Sequence, residues 1–433
     1  MENWEKQLKN DVNRSLPSMI DTRVEETLKR LPGKKPKRRF FYGLTAAAAA
    51  LILTFGLSFF SPTFANSLKD IPVIGSAIEF VGDIGMKKGK EKGLTTVMGE
   101  QVEIDGQLIT FTETLYDGGE IHIGYLMQAP EKAQNDHFMN NLELFIDGKP
   151  IGGYGMGGRE SEIEKGMYAG TISVSVRDDI PDSFVLGIRP REGKAWSVEL
   201  PVERKGNHES YLVQKVEQQK DLTILYDQIT FFPTSTEIAL RLLIDEKAFH
   251  SNKYMMLDYQ VIDDKGRVLQ PFSGGGGGGG PVDGKVLQSF KQYYEPLEEQ
   301  PKSLTIKPYL IDMNEAAPEL ERRQWQGEKM TLSQGEIGHL TILEVTEEDG
   351  VTTITYQVEG EDLYSQSTAI WLEDSAGTRY HFDQPAVRVD GTVNQYQVSF
   401  AEVPSFEELY IVTVAMSPPE FLEELEVTIE LEE

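Results

Sequence analysis

At 433 residues, 39% apolar and 26% charged, with a mean hydropathy of −0.35, the chain is globular in composition, has room for two to four domains and is no multi-span transporter. It has no cysteine, which excludes disulfide frameworks, thiolate zinc sites, cysteine nucleophiles and a lipid-modified cysteine. The net charge of −28 divides into +5 over residues 1–39, from eleven basic and six acidic residues, and −33 beyond them, which argues against nucleic acid as a partner and against adhesion to anionic surfaces by charge.

In the first 39 residues Trp4, Leu8 and Val12 recur every four positions, as do Ile20, Val24 and Leu28, with Pro17 between the two runs. The spacing predicts a tail of two short amphipathic helices. Their apolar faces either lie on the anionic inner leaflet of a membrane or form a binding face for a protein partner. Isolated helices of this length are marginal in water, so each alternative requires something to order them.

No charged residue occurs between Arg39 and Lys69, and Phe40 to Phe60 is almost continuously apolar, which predicts one transmembrane helix over 40–62. Lys34, Lys35, Lys37, Arg38 and Arg39 stand immediately before it. By the positive-inside rule they place the N-terminus in the cytoplasm and the rest of the chain outside the cell membrane. The rival reading is a secretory signal cleaved near Ala65, where Thr63-Phe64-Ala65 resembles a small-residue site. A basic region of this length exceeds an ordinary signal's, which favours the anchor. Both readings export everything downstream.

Residues 63–93 read as a short helix from Ala77 to Ile84 and a polar connector carrying Lys87, Lys88, Lys90 and Lys92. Beyond them strand patterns dominate. Val102 to Glu113 and Glu120 to Leu126 alternate around the turn Tyr116-Asp117-Gly118-Gly119, a β-hairpin. Similar openings at 212–244 and 337–358 lead to a strand with an acidic-glycine turn, at 142–149, 257–266 and 370–377. Closing strands follow near Phe184–Val202, Leu304–Ile311 and Leu409–Leu431. The fold class expected is mainly β, with tandem immunoglobulin-like β-sandwiches over 94–205, 206–328 and 329–433. A two-domain split stays open.

Motifs of chemistry are sparse. His122, His137, His208, His250, His339 and His381 stand singly, with no metal-ligand spacing, so no metal is expected. Gly153-Tyr154-Gly155-Met156-Gly157-Gly158 matches G-x-G-x-x-G without the strand and helix that dinucleotide binding needs, and reads as a loop. Gly274 to Gly280, seven glycines in a row, reads as a disordered loop. Acidic turns at Asp178-Asp179-Ile180-Pro181-Asp182 and Asp263-Asp264-Lys265-Gly266 offer oxygens to Ca²⁺ but form no D-x-D-x-D-G loop, which favours solvated turns. There is no G-x-S-x-G elbow. The expectation is a non-enzyme without a cofactor.

The stretch IPVIGSAIEFVGDIG followed by KGLTTVMGEQVEIDGQLITFTETLYDGGEIHIGYLM resembles a domain-of-unknown-function family of Gram-positive single-pass membrane proteins. The later units resemble the uncharacterised domain that often follows it. The resemblance covers most of the chain and is most specific over 71–127. It implies the layout of tail, helix and ectodomain, and, because such proteins are often encoded beside extracytoplasmic-function sigma factors, an anti-sigma role. Trp4, Leu8, Val12, Ile20, Val24 and Leu28 would then face a cytoplasmic sigma factor, and the ectodomain an extracellular ligand. The tail departs from zinc-type anti-sigma domains in lacking cysteine. The alternative is a membrane-anchored surface protein that binds a ligand or scaffolds the envelope, with no signalling role.

Overall fold

Period-two alternation between turns rich in glycine and aspartate favours strands, and the computed structural model is mainly β. It describes residues 76–433 except 105, 129–141, 177–179, 192–195, 312–318, 349, 383–384, 402, 404–408 and 432–433. The expected tail helices with Trp4, Leu8, Val12, Ile20, Val24 and Leu28, the basic cluster Lys34 to Arg39, the span 40–62 and the motif at Ala65 all lie outside the described residues. Among the described residues no helix is long and apolar enough to cross a membrane.

The described chain opens with two helices, α1 (Ala77–Val81) and α2 (Ile84–Glu91). The connector expected around Lys87 is therefore helical. The Asp83 carboxylate accepts the Met86 amide at 2.8 Å and caps α2, and Gly85, Met86 and Gly89 give that helix a buried face.

The first unit runs β1 (Thr95–Val97), β2 (Gln101–Ile104), β3 (Gln107–Tyr116), β4 (Ile121–Gln128) and β5 (Leu142–Ile146). It continues with β6 (Lys149–Pro150), β7 (Tyr154–Glu164), β8 (Met167–Val176), β9 (Ser183–Pro190) and β10 (Val198–Glu203). One sheet has the order β3-β4-β8-β7, with β1 and β2 both pairing β3, and the other the order β10-β9-β5-β6. The two sheets share one core, in which Phe111, Ile123, Tyr125 and Ile172 meet Leu144, Leu186 and Leu200. The single strand expected over 102–113 is divided into β2 and β3, which pair with each other from Ile104 opposite Gln107, while the turn at Asp117 joins β3 to β4.

The second unit holds β11 (Glu209–Gln219), β12 (Leu222–Phe231), β13 (Thr236–Asp245), α3 (Glu246–His250) and β14 (Leu257–Asp263). After these come β15 (Pro271–Gly277), β16 (Pro281–Val282), β17 (Lys285–Tyr294) and β18 (Ser303–Leu310). The third holds β19 (Leu320–Gln324), β20 (Met330–Ser333), β21 (Gly338–Glu348), β22 (Val351–Gly360), α4 (Leu363–Thr368) and β23 (Ile370–Glu373). Its last strands are β24 (Arg379–Tyr380), β25 (Val387–Arg388), β26 (Gln395–Ala401) and β27 (Tyr410–Val414). The orders β11-β12-β13-β17-β15 and β20-β21-β22-β26-β25 repeat that of the first unit's larger sheet. In all three the strand before the central one carries a one-residue bulge, at Thr112, Asp227 and Leu343.

The C-terminal stretch expected to close the third unit is divided between two units. β27 pairs with β19 and β23 in the third, but β28 (Glu420–Phe421) and β29 (Val427–Glu430) pair with β18 of the second. Leu425, Val427, Ile429 and Leu431 fill the second core, and the Tyr226 hydroxyl donates to the Leu425 carbonyl at 2.7 Å. Thus β29 takes beside β18 the place that β10 takes beside β9, and β19 takes it beside β27.

The glycine run is also not a free loop. Gly274 to Gly277 form most of β15, in register with Gln292 to Ser289 of β17. A Cβ at Gly274 would stand 1.9 Å from the Gln292 amide oxygen, and one at Gly276 would stand 2.3 Å from the Phe290 ring, so close packing outweighs the backbone entropy that argued for mobility.

Candidate functional site

The outer face of the first unit's larger sheet is polar and yet covered. On β4, Ile121, Ile123, Tyr125 and Met127 enter the core, so the alternate residues, among them His122, face the opposite side. The bulge at Thr112 shifts the phase of β3, and Glu113, Leu115 and Asp117 join that outer face. Glu113, Asp117 and Glu120 are 3%, 0% and 4% exposed. Buried carboxylates are costly unless hydrogen bonds compensate them.

Two of the three have such partners. Glu113 Oε1 accepts the Ser76 hydroxyl at 2.6 Å and the Ile78 amide at 3.1 Å, so it caps α1 from a neighbouring sheet where the Ser76 side chain does not. Asp117 Oδ2 accepts the Thr234 amide at 2.9 Å and its hydroxyl at 2.7 Å, tying the β3–β4 turn to the β12–β13 turn of the second unit. Between these anchors Leu115 packs with Ile78 and Met86. The glycine face of α2 lies so close that a Cβ at Gly85 would stand 2.0 Å from the Thr234 carbonyl oxygen. The helical pair is thus wedged against both units.

Glu120 opens into a cavity of about 410 Å³ whose walls come from α2, β7, β8, β15 and, in the third unit, Pro385 and Val387. Burial raises its pKa above the usual carboxylate value; His122 and the Ser273 hydroxyl pull the other way, and Asp83 and Asp117 add smaller upward contributions. His122 Nδ1 lies 3.0 Å from the Ser173 hydroxyl on the adjacent strand. Lys87 also lines the cavity; burial depresses its pKa first, the Asp83 carboxylate opposes this, and the positive charge of Arg159 adds a smaller downward push. A second cavity of about 370 Å³ shares Gly155 and Ser175 with the first. Here β7 and β15 cross, and a Cβ at Gly155 or Gly275 would stand 3.8 Å from the other's Cα.

The G-x-G-x-x-G glycines therefore belong in part to an edge strand and not to a loop, since Gly155, Gly157 and Gly158 lie in β7. Of the acidic turns, Asp263 is taken up by its own loop. Its oxygens accept the Lys265 and Arg267 amides at 3.0 and 2.8 Å and the Arg267 guanidinium at 2.6 Å, so none is left for an ion. Among the described residues no group of three ligating side chains could hold a metal. Among the described residues, His122 is the histidine buried on this polar face.

Sequence reasoning passed over Glu113, Asp117 and Glu120 as ordinary members of a hairpin. A weak signal was present in Ile121 to Met127, where the strand alternates but no residue is charged, so the face opposite Ile121, Ile123 and Tyr125 offers only His122, Gly124 and Leu126. Such a run marks a strand buried on both faces.

Two families of unknown function match. Residues 35–129 match a domain of unknown function (DUF4179), and residues 208–342 match a family of unknown function (DUF5643). The first match encloses α1, α2 and β1–β4, including all three buried acids, and the second runs from just before β11 into β21. No curated protein matches the chain. Among solved structures, the conserved domain protein from Bacillus anthracis is 13% identical, with 83% of this chain and 100% of that one covered and a TM-score of 0.43. The Escherichia coli adhesin FdeC is 13% identical, with 76% and 99% covered and a TM-score of 0.16.

Proposed function

We propose that the chain is a single-pass regulator of the cell membrane, an anti-sigma factor whose exterior β units respond to an extracellular ligand and whose tail holds a cytoplasmic sigma factor. In this reading the apolar stretch 40–62 is the membrane helix, and Lys34, Lys35, Lys37, Arg38 and Arg39 keep the N-terminus inside. Trp4, Leu8, Val12, Ile20, Val24 and Leu28 form the sigma-binding face, and the exterior units are immunoglobulin-like sandwiches with no catalytic role.

One observation carries the proposal. The helical pair that follows the apolar stretch is held by Glu113 to the first unit, and Asp117 joins that unit to the second. A passive anchor requires only a flexible connector, whereas transmission requires that movement between the units be felt at the helix that leads to the membrane. The resemblance to proteins encoded beside sigma factors points the same way.

The test is co-purification of the full-length chain with its cell's sigma factors, repeated with Trp4→Ala and Leu8→Ala combined. Recovery of one sigma factor, lost in the double variant, supports the reading. Recovery of none, or recovery unaffected by the substitutions, overturns it in favour of a surface protein.

A further inference from the structure

The second unit is interrupted. β18 and β29 pair with each other, yet β19 to β27, the strands of the third unit, lie between them in the chain. The chain enters and leaves the third unit side by side: Leu320 pairs with Val414, and the Ala415 amide donates to the Glu319 carbonyl at 2.8 Å. A domain inserted through two adjacent strands has a single line about which to turn. Its exit runs through Ser417-Pro418-Pro419, where neither proline has an N–H to tie it down. Beside the exit lies a cavity of about 750 Å³, between Asn252, Met256 and Tyr309 of the second unit and Ile337 and Asp362 of the third. The two units are thus not packed solid at the hinge.

The third unit also reaches the cavity of about 410 Å³ into which Glu120 opens, because Pro385 and Val387 form part of its wall. Val387 is 47% exposed, so apolar burial holds this contact only weakly. The next residue supplies what apolar contact does not. Arg388 Nη2 pairs with Glu295 Oε1 of the second unit, and both side chains are largely buried. The same Glu295 oxygen accepts the amide of Gln270 at 3.1 Å, and Gln270 lines the cavity. The pair is nevertheless incompletely compensated, since Arg388 Nε is buried with no hydrogen-bond partner among the described residues. Burial lowers the Arg388 pKa; Tyr396 opposes this, Arg267 adds a smaller downward push and Asp263 a smaller upward one. A desolvated ion pair contributes little net stability, but removing one partner strands the other's charge. It fixes a position more than it holds a fold.

We propose that the third unit is a hinged lid inserted into the second, and that the Arg388–Glu295 pair is the latch that closes it over the Glu120 cavity. With the latch made, Pro385 and Val387 stand over a space whose opposite wall includes Asp83 and Met86 at the start of α2. With the latch broken, the unit turns about the Leu320–Val414 pair and the cavity opens to water, while the third core stays intact. The Gln260 side chain, which donates to the Glu361 carbonyl at 2.9 Å, remains as a tie between the two units. The lid goes beyond the regulator reading and stands whether or not the tail binds a sigma factor.

Because the chain has no cysteine, Ser273→Cys places a single thiol where a buried hydroxyl now lines the cavity. The rate at which a maleimide labels that thiol in the full-length chain reads the lid. Labelling is expected to be slow, and to rise at least about tenfold when Arg388→Ala or Glu295→Gln is added, each of which leaves one buried charge unpaired. Hydrogen exchange of the β22 amides is expected to stay slow in all three proteins, which shows that the third unit has moved and not unfolded. If Arg388→Ala loses that protection, Glu295→Gln alone decides. Fast labelling with the latch intact, an unchanged rate in the latch variants, or loss of β22 protection in both of them overturns the proposal.

Discussion

β4 of the first unit and β22 of the third hold the same place in sheets of the same order, each next to a bulged strand, but their surroundings differ. β22 alternates buried and partly exposed side chains, whereas seven of the eight residues of β4 are buried. The third unit's outer face carries a ladder of hydroxyls and amides open to water, with Thr353 and Ser399 at 3.0 Å and Gln397 donating to Thr355 at 3.0 Å. On the first unit the corresponding face carries Glu113 and His122, covered by helices and a turn. A face turned to solvent needs only residues that suit a strand. A face covered by a helix N-terminus and a tight turn meets unpaired N–H groups, and carboxylates are the acceptors that satisfy them.

This comparison can be broken most forcefully at the anchors. Glu113→Ala leaves the Ile78 amide and Ser76 hydroxyl without their acceptor, and Asp117→Ala does the same to Thr234. Each is expected to destabilise the fold by about 2–3 kcal/mol in denaturant titration. Next comes Gly85→Ala. Helix propensity alone would favour alanine by about 1 kcal/mol. The 2.0 Å approach to the Thr234 carbonyl oxygen reverses the sign, with an expected loss of about 1–3 kcal/mol. A gain in stability would show that the helix does not rest on the second unit.

Glu120 sharpens the comparison through pH. Its folded pKa is raised above the ordinary 4.5 by burial, so the fold binds its proton more tightly than the unfolded chain does. The stability this contributes is full below 4.5 and is lost as pH rises through the folded value. Glu120→Gln is expected to flatten that part of the profile, measured as the denaturation midpoint from pH 4 to pH 8, and to leave the acid end unchanged. The smallest effect belongs to the open face, where Thr353→Ala is expected to change stability by less than about 0.5 kcal/mol.

The periodicity that identified the β units was legible because it depends on neighbours two positions apart. The threefold order of hairpin, middle strand and closing strand emerged from 102–127, 212–244 and 337–358 and reappears in the repeated sheet order. Pairings between distant segments left no local mark. Nothing in Val427-Thr428-Ile429-Glu430 tells that it joins β18, more than a hundred residues earlier, and not a strand of its own unit. The run at Gly274 misled because composition reports entropy, while the deciding quantity was the space beside Gln292 and Phe290. The lysines of α2 hid a helix for a related reason. Its buried stripe is made of Gly85 and Gly89, which register as turn residues until a close neighbour is present. The buried acids were invisible one by one, since an acid in a hairpin is ordinarily wet. Only the absence of charge along β4, from Ile121 to Met127, pointed to a covered face.

The central claim is that Glu113 locks the helical pair onto the first unit, so that the connector is part of the folded β structure and not a tether. Hydrogen exchange of the amides of residues 77–91 in the full-length chain tests it most directly, compared between the wild type and Glu113→Ala. The account predicts slow exchange in the wild type, with protection lost selectively at α1 in the variant while the third unit's β22 stays protected. Fast exchange of these amides in the wild type, or protection unchanged in the variant, would contradict it.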